Sequence, residues 1–595
     1  MHPTRALGTR PLLDSLRILC FARFEIVPDR SNVTRSIDLG EDIVQFQTMS
    51  KPEEHAVEAV HVEPMQSATT AVVSADVHAK EVHNAELFAA IKETPIERWS
   101  KESIQLYCFI AVCFCCSCAN GYDGSLMSSI LAMPYFKDKF QSGLVGQKTS
   151  LLSALYSVGS IAAFPFAPYV SDRFGRRVGM FTGAIIIIVG AILTSTANTV
   201  AQFIVGRFVL GAGIMFMTVS APAYAVEIAP PHWRGRAVGF YNCGWFGGSI
   251  PASFITYGCQ YINSDYSWRI PLILQCITCL VVIASVFFMP ESPRHLMAND
   301  ETEKAIDILA KYHGNGDRHA RLVMLEVEEI KENLRQDALY NKGIWDWRPL
   351  FATHNSRWRT SQAVMMGVFG QFSGNGLSYY NSSIFNILGY TSSFQQLGFT
   401  VVNQVVSATG ALTAMALTDR MPRRKVLVYG TFVGACLLCI NAALQNALSK
   451  SAVGDTITNP NLARGALAFF FLFNTANSFA YTPLQGVVPA EALDTRLRAK
   501  GLAMYGLVVN VFGFINLYAG PIALNNIKYN YVWIFVGWDF IETALWYFFC
   551  VEAQGRTLEE LEWVYNQPNP VKASLQVDKV LVRDDGVVTE KVVDA

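Results

Sequence analysis

Charge is what this sequence has little of. Only 16% of its 595 residues are Asp, Glu, Lys or Arg, against about 25% in an average soluble domain. The 47 basic and 48 acidic side chains nearly cancel, leaving a net charge of −1. Such a chain has no field with which to gather a polyanion, so nucleic acid is not expected as a partner. Ligands for a metal are missing too. Cys108, Cys113, Cys115, Cys116 and Cys118 crowd one apolar run, but no nearby His or acidic group completes a coordination set. These thiols read as small apolar side chains, with no disulfide. No metal, other cofactor or catalytic site is expected, and collagen-like, disordered and disulfide-scaffold classes are excluded by composition. No early signal peptide is read either, because Asp14, Arg17 and Arg23 interrupt the first apolar stretch.

What is abundant is apolar surface. Hydrophobic residues make up 51% of the chain and aromatics 12%, and the mean hydropathy is +0.26 although the first hundred residues are polar. A hydrocarbon core about 30 Å thick takes roughly 20 apolar residues per helix. Candidate spans lie at 103–123, 149–170, 178–198, 201–225, 237–259 and 269–289, then at 361–388, 399–418, 425–447, 464–488, 499–524 and 529–551. Twelve spans predict an all-α membrane protein. Its organisation reads as an N-terminal tail (1–100), a six-helix bundle (101–290), a central loop with helices (291–360), a second bundle (361–552) and a C-terminal tail (553–595). The first tail and 570–595 read as mostly disordered.

The short loops after spans two, four, eight and ten are rich in Arg and Lys, whereas 389–400 has neither. The positive-inside rule puts the basic loops and both termini in the cytoplasm; the sequon at Asn32 would then face the wrong side for glycosylation. These loops also repeat. Asp172-Arg173-Phe174-Gly175-Arg176-Arg177 returns as Asp419-Arg420-Met421-Pro422-Arg423-Arg424. Glu227, followed by Arg234 and Arg236, returns as Glu491, followed by Arg498 and Lys500. Glu291 and Arg294 close the first half much as Glu552 and Arg556 close the second. Two six-helix halves with matching charged ends are the pattern of carriers whose halves rock about a central site.

These motifs, with G-Y-D-G-S-L-M (121–127), P-E-S-P-R (290–294) and G-R-T-L-E-E (555–560), occur in an order that resembles the sugar porters of the major facilitator superfamily. The runs Q-F-S-G-N-G (371–376) and Y-T-P-L-Q (481–485) are most similar to the fungal lactose-permease-type branch. The resemblance implies the major facilitator fold and a cytoplasmic gate of acid–arginine pairs. That gate draws on Asp172, Arg173, Arg176, Arg177, Glu227, Arg234, Arg236, Glu291 and Arg294, and on Asp419, Arg420, Arg423, Arg424, Glu491, Arg498 and Glu552. Arginine suits it, since a planar guanidinium takes a carboxylate bidentately and stays charged.

Inside the membrane Asp123 and Arg207 stand out, because an uncompensated charge there costs on the order of 2.5–3.5 kcal/mol. A neighbouring arginine favours the ionised carboxyl and dehydration the neutral one, so a conformational change can move a proton. In the resembled family an Asp at this position marks proton-coupled members. A sugar presents hydroxyls around apolar faces, which amides and aromatic rings match. The expected contacts are Asn242, Gln371, Asn375, Tyr379, Tyr380, Asn510 and Asn516. Gly486 stands where the family often has a Trp, which suggests a roomier cavity. The run 143–149 superficially resembles a phosphate-binding loop but breaks its spacing, leaving an ion gradient as the energy source. The expectation is a proton-coupled sugar symporter in the plasma membrane, monomeric, with sugar, protons and the bilayer as partners. A facilitative uniporter, an exporter of another metabolite and a non-transporting sugar sensor are the alternatives.

Overall fold

The computed structural model describes Glu93 and residues 99–140, 146–340, 347–418, 420–451, 459–493, 498–554, 558–575, 578–582 and 588–593. Asp419 and the side chains of Asn375 and Arg498 lie outside the described residues. A helix occupies each of the twelve predicted positions. Eight are individually long and apolar enough to cross a bilayer, nine when the bent second pair is joined. The fifth, seventh and tenth do not pass that test, and they are the ones carrying Asn242, Gln371 and Asn477 on Gly- and Ser-rich stretches. A helix that faces neighbours rather than lipid can hold such residues.

The first span, Lys101–Ile130, starts at Ser100, whose hydroxyl accepts from the Ser103 N–H. It runs seven residues past its predicted end. The extra turns survive because the Ser128 hydroxyl returns its bond to the Ser125 carbonyl (3.2 Å) and Ile130 packs in a cluster with Phe136 and Trp268. Asp123 therefore lies well inside the helix, not at its rim. The second span bends by 48° between Gln147–Ala163 and Phe166–Phe174, where Pro165 withholds an N–H and crowds the preceding turn. The third to sixth spans follow as Arg176–Ser195, Val200–Ile228, Arg234–Cys259 and Tyr266–Val286.

The seventh span comes in three pieces, His354–Phe372, Asn375–Ser378 and Asn381–Ile387. The first break is Gly374, at φ 74°, where a Cβ would also overlap the Phe473 ring. Only glycine satisfies both conditions. The eighth and ninth spans are Ser393–Leu417 and Arg423–Ser451. The tenth breaks at Thr482–Pro483 into Pro460–Tyr481 and Leu484–Ala492, and Arg498–Ile527 and Asn530–Phe549 complete the set.

Packing repeats as the charges do. The first span lies on the fifth, the second and third on the fourth; likewise the seventh lies on the eleventh, the eighth and ninth on the tenth. Across the halves the second span meets the eleventh and the fifth meets the eighth, contacts that exchange under the same two-fold relation. The halves touch at both ends. At the arginine-rich end Phe164, Ala167 and Met215 cluster with Trp347, Ala503 and Leu507. At the opposite end the Ser382 hydroxyl donates to the Ser128 carbonyl (2.9 Å) and that of Ser393 to the Ala132 carbonyl (2.8 Å).

Between the halves, Thr302–His313 and Arg321–Tyr340 form a small amphipathic unit. His313 seats it, facing the Glu326 carboxylate (2.5 Å) and the Ile228 carbonyl (3.1 Å) at the end of the fourth span. In the tail the structure differs from the expectation of disorder. Pro570–Ser574 is a helical turn, and Asp578–Val582 pairs antiparallel with Val588–Val593. Branched residues flanking Asp585-Gly586 are a hairpin signal that the low hydrophobicity of the tail had hidden.

Candidate functional site

Asp123 and Arg207 meet inside the first bundle, about two turns from the helix ends opposite the arginine-rich side. The Arg207 Nη1 donates to Asp123 Oδ1 at 2.6 Å, and the two side chains are 4% and 1% exposed. The pair is incompletely served, since Asp123 Oδ2 and Arg207 Nε have no hydrogen-bond partner. The guanidinium lies 5.0 Å from the Tyr156 ring centre, and the Tyr156 hydroxyl donates to Asn120 Oδ1 (3.0 Å), one turn before Asp123. Trp245 of the fifth span lies against Gly121 and Gly124, where any Cβ would overlap it. Half a turn beyond Asp123, Ser125 Oγ accepts from the Gln404 amide (3.4 Å), whose carbonyl accepts from Ser249 (3.1 Å). This chain joins the first and fifth spans to the eighth, linking the carboxylate's helix to the other half.

At the arginine-rich end Arg176 grips Glu227 with two parallel bonds, Nε to Oε2 at 3.1 Å and Nη2 to Oε1 at 3.2 Å. Its third nitrogen reaches Asp172 and the Ser171 carbonyl. Glu291 accepts the Arg176 N–H at 3.1 Å, an acid placed on a helix N-terminus, and Ser292 donates to Glu227. The second half repeats the device. Arg423 Nε and Nη2 hold Glu491 at 3.2 and 3.0 Å, while Glu552 accepts the N–H groups of Arg423 and Arg424, each at 3.0 Å. Arg177 and Arg424 close on the Phe287 and Tyr547 carbonyls.

Arg234 turns to Glu326 and Glu329 of the central helical unit. Arg294 is half-buried within electrostatic reach of Glu227. Arg173, Arg236 and Arg420 are exposed.

The amides divide into two groups. Asn242 is half-buried with its Nδ2 unpartnered, against Gly486 of the tenth span. The Asn242 amide thus lies where a Cβ at Gly486 would be. Gln371 is 9% exposed, its side-chain oxygen beside Gly513 of the eleventh span. Asn510 donates to its own helix at Gly506 (2.8 Å) and reaches toward Met215 of the fourth span. Tyr379 is half-buried near Tyr156. Asn516 and Tyr380 instead brace helices: the Asn516 amide donates to the Gln371 carbonyl (2.8 Å) and the Tyr380 hydroxyl to the Leu517 carbonyl (2.9 Å).

Sequence reasoning missed three features. Asn381 is wholly buried with neither amide atom partnered. Gln404, with Ser249 and Ser125, makes the cross-half chain. Asp539 and Glu542, 1% and 0% exposed, add two acids within the twelfth span. An acid in an apolar run was the available signal, but the surrounding aromatics of this span drew attention away.

Comparison with known proteins bears on this arrangement. The family described as "Sugar (and other) transporter" matches residues 108–565. A high-affinity glucose transporter of Kluyveromyces lactis is 31% identical over 78% of this chain and 86% of its own. A quinate permease of Neurospora terricola is 27% identical over 82% and 95%. Among solved structures, the proton:xylose symporter XylE bound to 6-bromo-6-deoxy-D-glucose superposes with a TM-score of 0.65. Its identity is 22%, over 78% of this chain and all of that one. XylE from E. coli in a partially occluded inward-open conformation gives 0.62 at 21% identity, over 76% and 99%.

Proposed function

Because this chain belongs to the sugar transporter family of the major facilitator superfamily, a multi-pass membrane protein and not an enzyme, we propose that it is a proton-coupled sugar symporter. The buried Asp123–Arg207 pair carries the reading. Its unserved Oδ2 and Nε leave the carboxyl a site at which a proton can replace the arginine as partner. In the ionised state the two charges hold the first span to the fourth. Protonation of Asp123 releases Arg207 to Tyr156 and to substrate hydroxyls, and binding favours the state in which both have arrived. Asn242, Gln371, Asn510 and Tyr379 are the side chains set to meet the sugar, and Asn375 is assigned with them on the seventh span. The acid–arginine pairs hold each half rigid at the cytoplasmic gate while the halves rock about the site. The protein acts as a monomer in the plasma membrane with both termini inside.

A carboxylated ring polyol is the second reading, favoured by the quinate permeases among its relatives. It is the weaker one, because the side chains set to meet the substrate are neutral amides and a tyrosine and only Arg207, shared with Asp123, is cationic among them. In proteoliposomes, Asp123→Asn should abolish uphill sugar accumulation under a proton gradient while counterflow of labelled sugar persists. Undiminished accumulation would remove Asp123 from coupling; absent counterflow in the wild-type protein would favour a sensor.

A further inference from the structure

The second half holds a buried ionisable group of its own. Asp539 and Glu542 sit three residues apart on one face of Asn530–Phe549. Among the described residues, no Lys, Arg or His pairs with either. Glu542 belongs to a closed network: Oε1 accepts from Trp538 Nε1 (2.9 Å) and Oε2 contacts the Tyr481 hydroxyl (3.3 Å). That hydroxyl accepts from Trp546 Nε1 (3.0 Å) and shares a hydrogen with Thr431 (2.9 Å). Asp539 is 1% exposed, and its Oδ1 meets no donor.

Proton counting gives this network two complete states. With Glu542 ionised, Thr431 donates to Tyr481 and Tyr481 donates to Oε2. With Glu542 protonated, Oε2–H donates to Tyr481 and Tyr481 donates to Thr431. Adding one proton reverses two hydroxyls and displaces no heavy atom. Two buried carboxylates one turn apart, one with an unserved oxygen, cannot both stay ionised without a cation. We infer that Asp539 and Glu542 form a second proton-binding site, distinct from Asp123 and read out at the hinge of the tenth span. Tyr481 is the last residue of the helix before that hinge, and the piece beyond it carries Glu491 to Arg423. Losing the proton reverses the hydroxyls at the hinge without breaking their bonds and sets two negative charges against each other within the twelfth span.

The titratable groups facing the pair are each other and Tyr481. Tyr505 of the eleventh span and Cys550 share the surrounding cluster. Arg423 and Arg424 of the ninth span are engaged at the rim with Glu491 and the Tyr547 carbonyl.

The test uses the full-length protein carrying Asp123→Asn, so that the outcome is independent of coupled uptake. Infrared spectra at neutral pH should retain a protonated-carboxyl stretching band that further substitution by Asp539→Asn and Glu542→Gln together abolishes. The thermal midpoint should fall as pH rises above neutral in the Asp123→Asn protein and lose that slope in the triple variant. A neutral-pH spectrum lacking the band, or a pH slope unchanged by the two amides, overturns the inference. Failure of Asp123→Asn to block accumulation would instead strike the coupling assigned to Asp123 and leave this site standing.

Discussion

The two halves resemble each other closely at one depth and not at another. At the arginine-rich end Arg176–Glu227 and Arg423–Glu491 have the same two-bond geometry, and Glu291 and Glu552 accept N–H groups at the starts of the third and ninth spans. Inside the bundles the first half opposes Asp123 with Arg207, while the second places Asp539 and Glu542 among tyrosine and tryptophan with no cation among the described residues. Selection on a repeated scaffold can keep the latch wherever both halves must stay rigid, yet let the interior chemistry diverge. Even the latches differ in detail. Glu227 is 12% exposed and also receives Ser292, whereas Glu491 is 31% exposed. Gly175 enters its helix at φ 101°, with Glu291 where a Cβ would be; Pro422 occupies the matching position in the second half and cannot adopt that angle.

The largest effect should come from the difference between the buried acids. Asp123→Ala strands a buried guanidinium and should cost about 3–5 kcal/mol, seen as a large drop in thermal midpoint in detergent. An unchanged midpoint would mean that Arg207 has another anion, and the contrast between the halves would be lost. Next come the latches. Glu227→Gln should cost about 1–3 kcal/mol, because it leaves Arg176 half-served in a buried setting. Glu491→Gln should fall toward the lower end of that range, about 1 kcal/mol, because its carboxylate is better solvated although Arg423 is as buried as Arg176. Both should raise the labelling of a cysteine probe placed at the arginine-rich end, the first more than the second; equal shifts would make the latches equivalent. The smallest effect concerns helix entry. Gly175→Ala should cost about 1–2 kcal/mol through strain at positive φ, against less than about 1 kcal/mol for Pro422→Ala. Midpoints that reverse this order would show that neither the positive φ nor the Glu291 carboxylate constrains Gly175.

Much of this was legible in the chain. The twelve spans follow from runs of apolar residues, and the paired latches from two copies of one charged motif. Asp123 and Arg207 announced themselves because a charge in hydrocarbon needs a partner. What stayed hidden depends on direction around a helix axis. Asn516 and Gln371 look alike in sequence, but the Asn516 amide is occupied by a carbonyl of the next helix whereas the Gln371 side chain lies beside Gly513. Gly374 gave no warning of a break, since glycine is common in membrane helices and only φ and the Phe473 ring set it apart. Asp539 and Glu542 were masked by averaging over their aromatic neighbours.

The segmented seventh helix has a kinetic consequence. Its outermost piece is only seven residues long, so swinging it aside breaks almost no internal ladder. Two hydroxyl–carbonyl ties, from Ser382 and Ser393, bind that corner to the first span and its extension. At about 0.5–1.5 kcal/mol apiece, together they amount to roughly two to five times thermal energy. A door fastened so lightly unlatches spontaneously and often, while the arginine clasps at the far end, each made within one half, keep the two bundles stiff as it swings.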